Sequence, residues 1–280
     1  MNLTHGALFN GIGGFSLAAR NQGISTIWEC EINDYCNRLS QKNFPEIKTR
    51  YRDIKDMTNE KNKIESVSII SGGFPCQPFS TAGKQRGQND NRYLWPQTIE
   101  VIKHVRPDWI ILENVPGIIN MELGNVLNDV ESADYQLPVD QQGRKIVFVV
   151  PALAVGANHI RHRVWIMAHS MQCGNRNTKK KRQLEEISGN RFGHSSDLAN
   201  AENTNRRRPN REKNEGRWNQ EIGGQGEPIG RSQHWEVEPP VGRVANGIPR
   251  RVDRLKGLGN AIVPQIAEIF FSFIKSIEGG

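Results

Sequence analysis

The sequence is short of cysteine, of membrane-length apolar runs and of leader-like ends. Its four cysteines, Cys30, Cys36, Cys76 and Cys173, form no CxxC pair and no Cys/His spacing of the zinc type. A disulfide scaffold and a structural metal centre are therefore excluded, and reduced, unliganded thiols in a cytosolic compartment are expected. Met1 to Phe9 carries no basic stretch followed by an apolar core, and no run approaches the roughly 18 apolar residues of a bilayer span, so a soluble, unexported protein is expected. What is in excess is positive charge: the 280 residues carry a formal net charge of +7. That balance favours a polyanionic partner, although it acts first on solubility and encounter rates. The length suits one large domain, or a large domain with a small one.

The chain opens with Ala7-Leu8-Phe9, then Asn10-Gly11-Ile12-Gly13-Gly14-Phe15, then Ser16 to Arg20. This reads as strand, glycine turn and helix, because glycine lets the backbone turn sharply and approach a ligand at a helix N-terminus. Such a turn serves any nucleotide or cofactor. Ser25 to Glu31 is a second strand that ends in a carboxylate about 20 residues after the glycines, where a Rossmann-type fold places the acid for ribose hydroxyls. Glu31 is that candidate, the alternative being a solvated acid. Asp34 to Asn43 reads as helix, Phe44-Pro45 breaks it, and Arg50 to Ile54 offers another strand end with an acid, Asp53.

Ser66 to Ile70 reads as a buried strand, followed by Gly72-Gly73-Phe74-Pro75-Cys76-Gln77-Pro78-Phe79-Ser80. Small and rigid residues around one thiol place Cys76 on a loop at a strand end, where reactive side chains tend to stand; most free cysteines are instead small buried hydrophobes. Thr81 to Asn91 is polar and suits a loop that closes over a substrate, with Lys84, Arg86 and Arg92 as phosphate contacts or as solvated charges. Leu94 to Val105 is a helix with a stripe at Leu94, Ile99, Ile102 and Val105, and Pro107 to Leu112 is a buried strand ending at Glu113-Asn114-Val115. Strand ends of an open parallel sheet share one crevice, so Cys76 and Glu113 can meet. Asn120 to Tyr135 reads as helix and Lys145 to Val155 as strand, interrupted by Pro151. His159 to Met167 alternates, with His159, Arg161 and Arg163 on one face, a pattern that a cationic edge strand also gives. From His169 to Gly242 apolar residues are sparse and basic clusters appear, among them Arg206-Arg207-Arg208, so little core is expected there. Ile266 to Ile274 is a C-terminal amphipathic helix with Pro264 near its start.

In this order the blocks resemble the cytosine carbon-5 DNA methyltransferase family. They are Phe9 to Gly14, Glu31, Asp53, Gly73 to Ser80, Asp90 with Arg92 and Leu94, Glu113-Asn114-Val115, Arg161 with Arg163, and Gly259-Asn260-Ala261-Ile262-Val263-Pro264. The resemblance implies an α/β, Rossmann-like, S-adenosylmethionine-dependent methyltransferase fold. Residues 1–168 would be the catalytic and cofactor-binding domain, 169–242 a small, irregular target-recognition region, and 243–280 a segment returning to the catalytic domain. It also implies a monomer in the cytoplasm of a bacterial or phage-infected cell, acting on double-stranded DNA without metal or membrane, in the manner of restriction-modification systems. Carried over by position, Phe9, Asn10, Gly11, Ile12, Gly13, Gly14, Glu31, Ile32, Asp53, Ile54, Pro75, Leu94, Asn260, Ala261 and Ile262 would line the S-adenosyl-L-methionine site. Glu31 would hold the ribose hydroxyls and Asp53 the adenine amine. Ser80, Lys84, Arg86, Arg92 and Arg206 to Arg208 would contact DNA.

Carbon 5 of cytosine is a poor nucleophile, so a nucleophile must first add at carbon 6 of the flipped-out base. The resemblance gives that role to Cys76, proton sharing at ring nitrogen 3 to Glu113, the neighbouring carbonyl to Arg163, and a supporting role to Arg161. Three departures stand out: Ala7 where many members carry an acid, His159 where glutamine is usual, and a recognition region that is short and poor in apolar residues, so that its base contacts are unassigned. A tRNA cytosine-5 methyltransferase and an inactive DNA-binding relative are the alternatives; a nicotinamide-dependent oxidoreductase would leave the thiol loop unexplained.

Overall fold

The computed structural model describes residues 2–59, 63–75, 93–171 and 251–279. Five strands lie parallel: β1 (Thr4–Leu8), β2 (Ser25–Cys30), β3 (Thr49–Tyr51), β4 (Ile69–Gly72) and β5 (Trp109–Asn114). Between and after them run α1 (Gly14–Asn21), α2 (Asp34–Asn43), α3 (Ile54–Met57), α4 (Trp95–Val105) and α5 (Leu123–Ser132). The remaining elements are β6 (Tyr135–Gln136), β7 (Phe148–Pro151), β8 (His162–Ser170), α6 (Arg251–Asn260) and α7 (Pro264–Ile277).

The strand order is β3-β2-β1-β4-β5-β8-β6, with β7 also on β8. β8 runs antiparallel to β5, and β6 and β7 share its far edge. Because the chain winds outward from β1 to β3 and then returns to β4 beside β1, the order reverses between β1 and β4. A crevice opens at the carboxyl ends of the strands at such a point.

Each face of the sheet buries its own core, as the two-residue period of strands requires. Ile69, Ile111, Trp165 and Met167 meet α1 and α7 through Phe15, Ala18, Phe270, Phe271 and Ile274. On the opposite face Ile70, Ile110, Leu112 and Ile166 meet Met57, Ile99, Ile102, Val126 and Val130. β4 and β5 are buried throughout, which explains the lack of polar alternation in Ile69-Ile70 and in Trp109 to Leu112. The stretch Val252–Ile277 is long and apolar enough to span a bilayer by length and composition. Here it is broken at residues 261–263 into α6 and α7, and the apolar stripe of α7, from Ile266 to Ile274, is buried.

Four local expectations are revised. The Asn120–Tyr135 helix is shorter, because a 3₁₀ turn occupies Pro116–Asn120 and Asp134, at φ 65°, turns the chain into β6. Pro151 ends a strand rather than interrupting one, since Ala152–Val155 coils as 3₁₀ after it. The stripe on α4 is wider than expected, with Trp95 and Val101 also buried. β8 is an interior strand, buried on both faces from Val164 to Ala168, and it starts only at His162, so His159 and Arg161 precede it.

Candidate functional site

The glycine turn leaves β1 through Phe9, whose backbone is left-handed (φ 51°). A bulky residue in that region is strained, and such strain is most often kept where a ligand sits. Gly13 has φ 95°, and a Cβ there would lie 2.3 Å from the Phe44 ring, so only glycine fits. The Gly11 amide donates to Glu31 Oε2 at 2.8 Å and the Asn33 amide to Glu31 Oε1 at 2.8 Å. Glu31 therefore enters the crevice with its carboxylate already oriented. Asn33 caps α2 by accepting from the Tyr35 and Cys36 amides, and Asp53 caps α3 by accepting from the Lys55 amide.

These ends surround an open cleft of about 440 Å³, within the range of nucleotide-sized pockets. Phe9, Gly11, Glu31, Ile32, Asp53, Ile54, Pro75, Leu94 and Asn260 line it, together with Glu113, Arg161 and Arg163. Ile32 is 67% exposed at its rim, apolar surface ready for a flat ring. Six residues expected at the cofactor do not form its wall. Asn10 turns inward and is 4% exposed. Gly14 is packed against Ile262, and Ile12 lies under Gly257. Gly13 faces Phe44, and Ala261 closes the end of α6 through the Leu258 carbonyl. α6 instead brings Asp253, Lys256 and Gly257 to the cleft, which no motif in the sequence signalled. Ala7, where the resemblance expects an acid, pairs with Glu29 of β2, so the buried carboxylate of that layer comes from the neighbouring strand.

At the other end of the cleft, Glu113 is the penultimate residue of β5 and Arg163 the second of β8, brought together by antiparallel pairing. Arg163 Nε lies 2.8 Å from Glu113 Oε1. Burial pushes the Glu113 carboxyl up to about 7, against the opposing pull of Arg163 and Arg161. Desolvation outweighs a well-formed ion pair here because the carboxyl is nearly enclosed. The site thus holds a carboxyl poised to carry a proton near neutral pH. Arg161 donates to the Gly259 carbonyl at 2.8 Å and so ties the entry of β8 to α6.

Gly73 follows β4 and faces this carboxyl: a Cβ there would lie 2.8 Å from Glu113 Oε2. Asn114 donates to the Phe74 carbonyl at 3.0 Å and also accepts from the Val115 amide, which pins the backbone two residues before Cys76. Phe74 packs on Trp95, with ring centroids 4.9 Å apart. The sequence places Asn114 beside Glu113 but gives no hint of this anchoring role, because its partner lies 40 residues away. Cys76, Ser80, Lys84, Arg86, Arg92 and Arg206 to Arg208 lie outside the described residues. Cys30 and Cys36 line the cleft, but burial raises their thiols to about 12 and about 11, so neither is a nucleophile at neutral pH. No group of three or more metal-ligating side chains occurs among the described residues.

The family model for C-5 cytosine-specific DNA methylases matches residues 3–236. Type II methyltransferase M2.BsuMI of Bacillus subtilis is 33% identical over 167 residues, covering 58% of this chain and 41% of that protein. Type II methyltransferase M.HpaII of Haemophilus parainfluenzae is 31% identical over 189 residues, covering 64% and 49%. A crystal structure of a candidate DNA modification methyltransferase from an E. coli prophage superposes with a TM-score of 0.50 at 26% identity, covering 61% of this chain and 48% of that one. The chain thus spans about half or less of the length of these relatives.

Proposed function

From the premise that the chain belongs to the C-5 cytosine-specific DNA methylase family, we propose that it methylates carbon 5 of cytosine in duplex DNA with S-adenosylmethionine as donor. The observation that carries this reading is the Glu113–Arg163 pair, set beside Gly73, three residues before Cys76 in the chain, and opening into the same cleft as Glu31. Cytosine activation requires an acid that carries a proton near neutrality and a nucleophile, and Cys76 follows in the chain three residues after the glycine that faces Glu113.

The cleft fits the donor by its chemistry. Glu31 offers an oriented carboxylate to a ribose diol, Asp53 an acceptor to an exocyclic amine, and Ile32 and Ile54 apolar surface to a purine. When bound, S-adenosylmethionine supplies an electrophilic methyl group on a sulfonium. Cys76 as thiolate adds to carbon 6 of a cytosine flipped out of the duplex. Glu113 shares its proton with ring nitrogen 3, which neutralises the charge pushed into the ring, and Arg163 holds the adjacent carbonyl oxygen. Arg161 keeps α6 and the β8 entry in register. After methyl transfer, loss of the carbon-5 proton expels Cys76. His169 and Ser170 belong to β8 of the catalytic sheet, so the chain beyond β8, up to residue 242, serves as the target-recognition region, and the protein acts as a monomer.

Incubation with tritiated donor and either duplex DNA or tRNA tests this directly. Label in DNA that resists re-methylation of the same cytosines supports it; label in tRNA alone overturns the substrate. Gly73→Ala is expected to lower turnover by about tenfold to a hundredfold, because a methyl 2.8 Å from Glu113 Oε2 displaces the carboxyl by a fraction of an ångström to an ångström. Steady-state kinetics on the folded variant checks it, and unchanged turnover would remove Glu113 from the reaction. Replacing Arg206, Arg207 and Arg208 with alanine is expected to flatten the salt dependence of DNA binding by about three units of slope at most. A slope equal to that of the unaltered protein would place those arginines off the DNA.

A further inference from the structure

A carboxylate removed from water is costly unless hydrogen bonds and a counter-charge replace its hydration. Glu29 in β2 is 0% exposed, and its side chain lies outside the cleft lining. It is fully engaged: it accepts from Asn10 Nδ2 at 2.5 Å, from Ser40 Oγ at 2.7 Å and from Arg50 Nε at 2.7 Å. Arg50 spends its other nitrogens on the Ile47 and Phe44 carbonyls. The cluster therefore ties β2, α2 and β3 to one residue of the glycine turn, Asn10.

Asn10 has little freedom left. Only its amide nitrogen can face a carboxylate, so Glu29 fixes the sense of the side chain, and Ser16 Oγ accepts from the same nitrogen at 3.0 Å. Its backbone amide donates to the Cys30 carbonyl at 3.1 Å and its carbonyl accepts from Gly13 at 2.9 Å. The next amide in the chain, Gly11, is the one that holds Glu31. We propose that Glu29 is a positioning residue for donor binding: through Asn10 it fixes the glycine turn, and through Gly11 the turn presents Glu31 to the ribose. This rests on the cleft being the S-adenosylmethionine site.

The test is titration calorimetry of the whole 280-residue chain with S-adenosylmethionine, without DNA. Glu29→Gln puts an NH₂ group against donors and loses the charge-assisted bond to Asn10. Asn10→Ala removes the same bond from the other side and leaves the Glu29–Arg50 ion pair intact, which separates the effect from loss of fold. Each is expected to raise the donor Kd, and its KM, by about tenfold, while kcat at saturating donor falls by less than about threefold. The double variant is expected to bind no more weakly than the weaker single variant, because both act through one contact. Losses that multiply in the double variant, or a fall in kcat with an unchanged Kd, overturn the proposal. Failure of the unaltered protein to bind the donor would instead overturn the site reading; normal binding by both variants beside a binding parent would overturn only the role of Glu29.

Discussion

Glu113→Gln is expected to lower methyl transfer by about a thousandfold, the usual scale for losing a positioned acid. The glutamine keeps the size of the side chain and can donate from its amide, but it cannot hand over a proton as charge develops on the base. The carboxyl is raised to about 7 by burial, so the unaltered enzyme is expected to lose kcat/KM as pH rises through neutrality and Glu113 gives up its proton. The variant should show no such limb. The same shift has a signature in stability. The folded protein keeps a proton that the unfolded chain has already released between about pH 4.5 and 7, so unfolding free energy falls as pH rises through that window and levels off above it. Glu113→Gln is expected to remove this slope. Urea unfolding from about pH 5 to pH 8, with parallel rate measurements, checks both. A variant within a few fold of the parent rate would exclude Glu113 as the proton carrier.

Cys76→Ser is expected to lower methyl transfer by at least about 10⁴-fold while the donor still binds. A serine hydroxyl is almost wholly protonated at neutral pH and adds poorly to carbon 6. The contacts proposed for the donor, Gly11, Glu31 and Asp53, follow β1, β2 and β3, whereas Glu113 stands on β5, two strands beyond β1 in the sheet. The other cysteines of the cleft cannot substitute, since burial keeps Cys30 and Cys36 protonated. A parent enzyme trapped on DNA containing a carbon-5-fluorinated cytosine should run as a covalent complex in a denaturing gel, and the serine variant should not. Turnover near the parent level in the variant would refute the thiolate mechanism.

The layout of the sheet was legible because buried parallel strands write themselves as short apolar runs. Ile69-Ile70 and Trp109 to Leu112 are buried on both faces and so need no alternation. Glu31, Asp53 and Glu113 could be read as candidate site residues for a different reason: each stands at the carboxyl end of an expected strand, and strand ends of a parallel sheet converge. β8 was harder. The alternation from His159 to Met167 also fitted a cationic edge strand, and only pairing with β5 on one side and β6 and β7 on the other makes it interior.

By itself the sequence determined the family and singled out Cys76, Glu113 and Arg163 as candidates for the thiol, the acid and the arginine, because residue type and local period survive without the fold. The tertiary structure alone decided that Arg163 reaches Glu113, that Asn10 turns inward to Glu29, and that Gly73 leaves room for the acid. Each of these joins residues from different strands. Proton affinity, reach and available space are set by neighbours in three dimensions, which a linear pattern does not record.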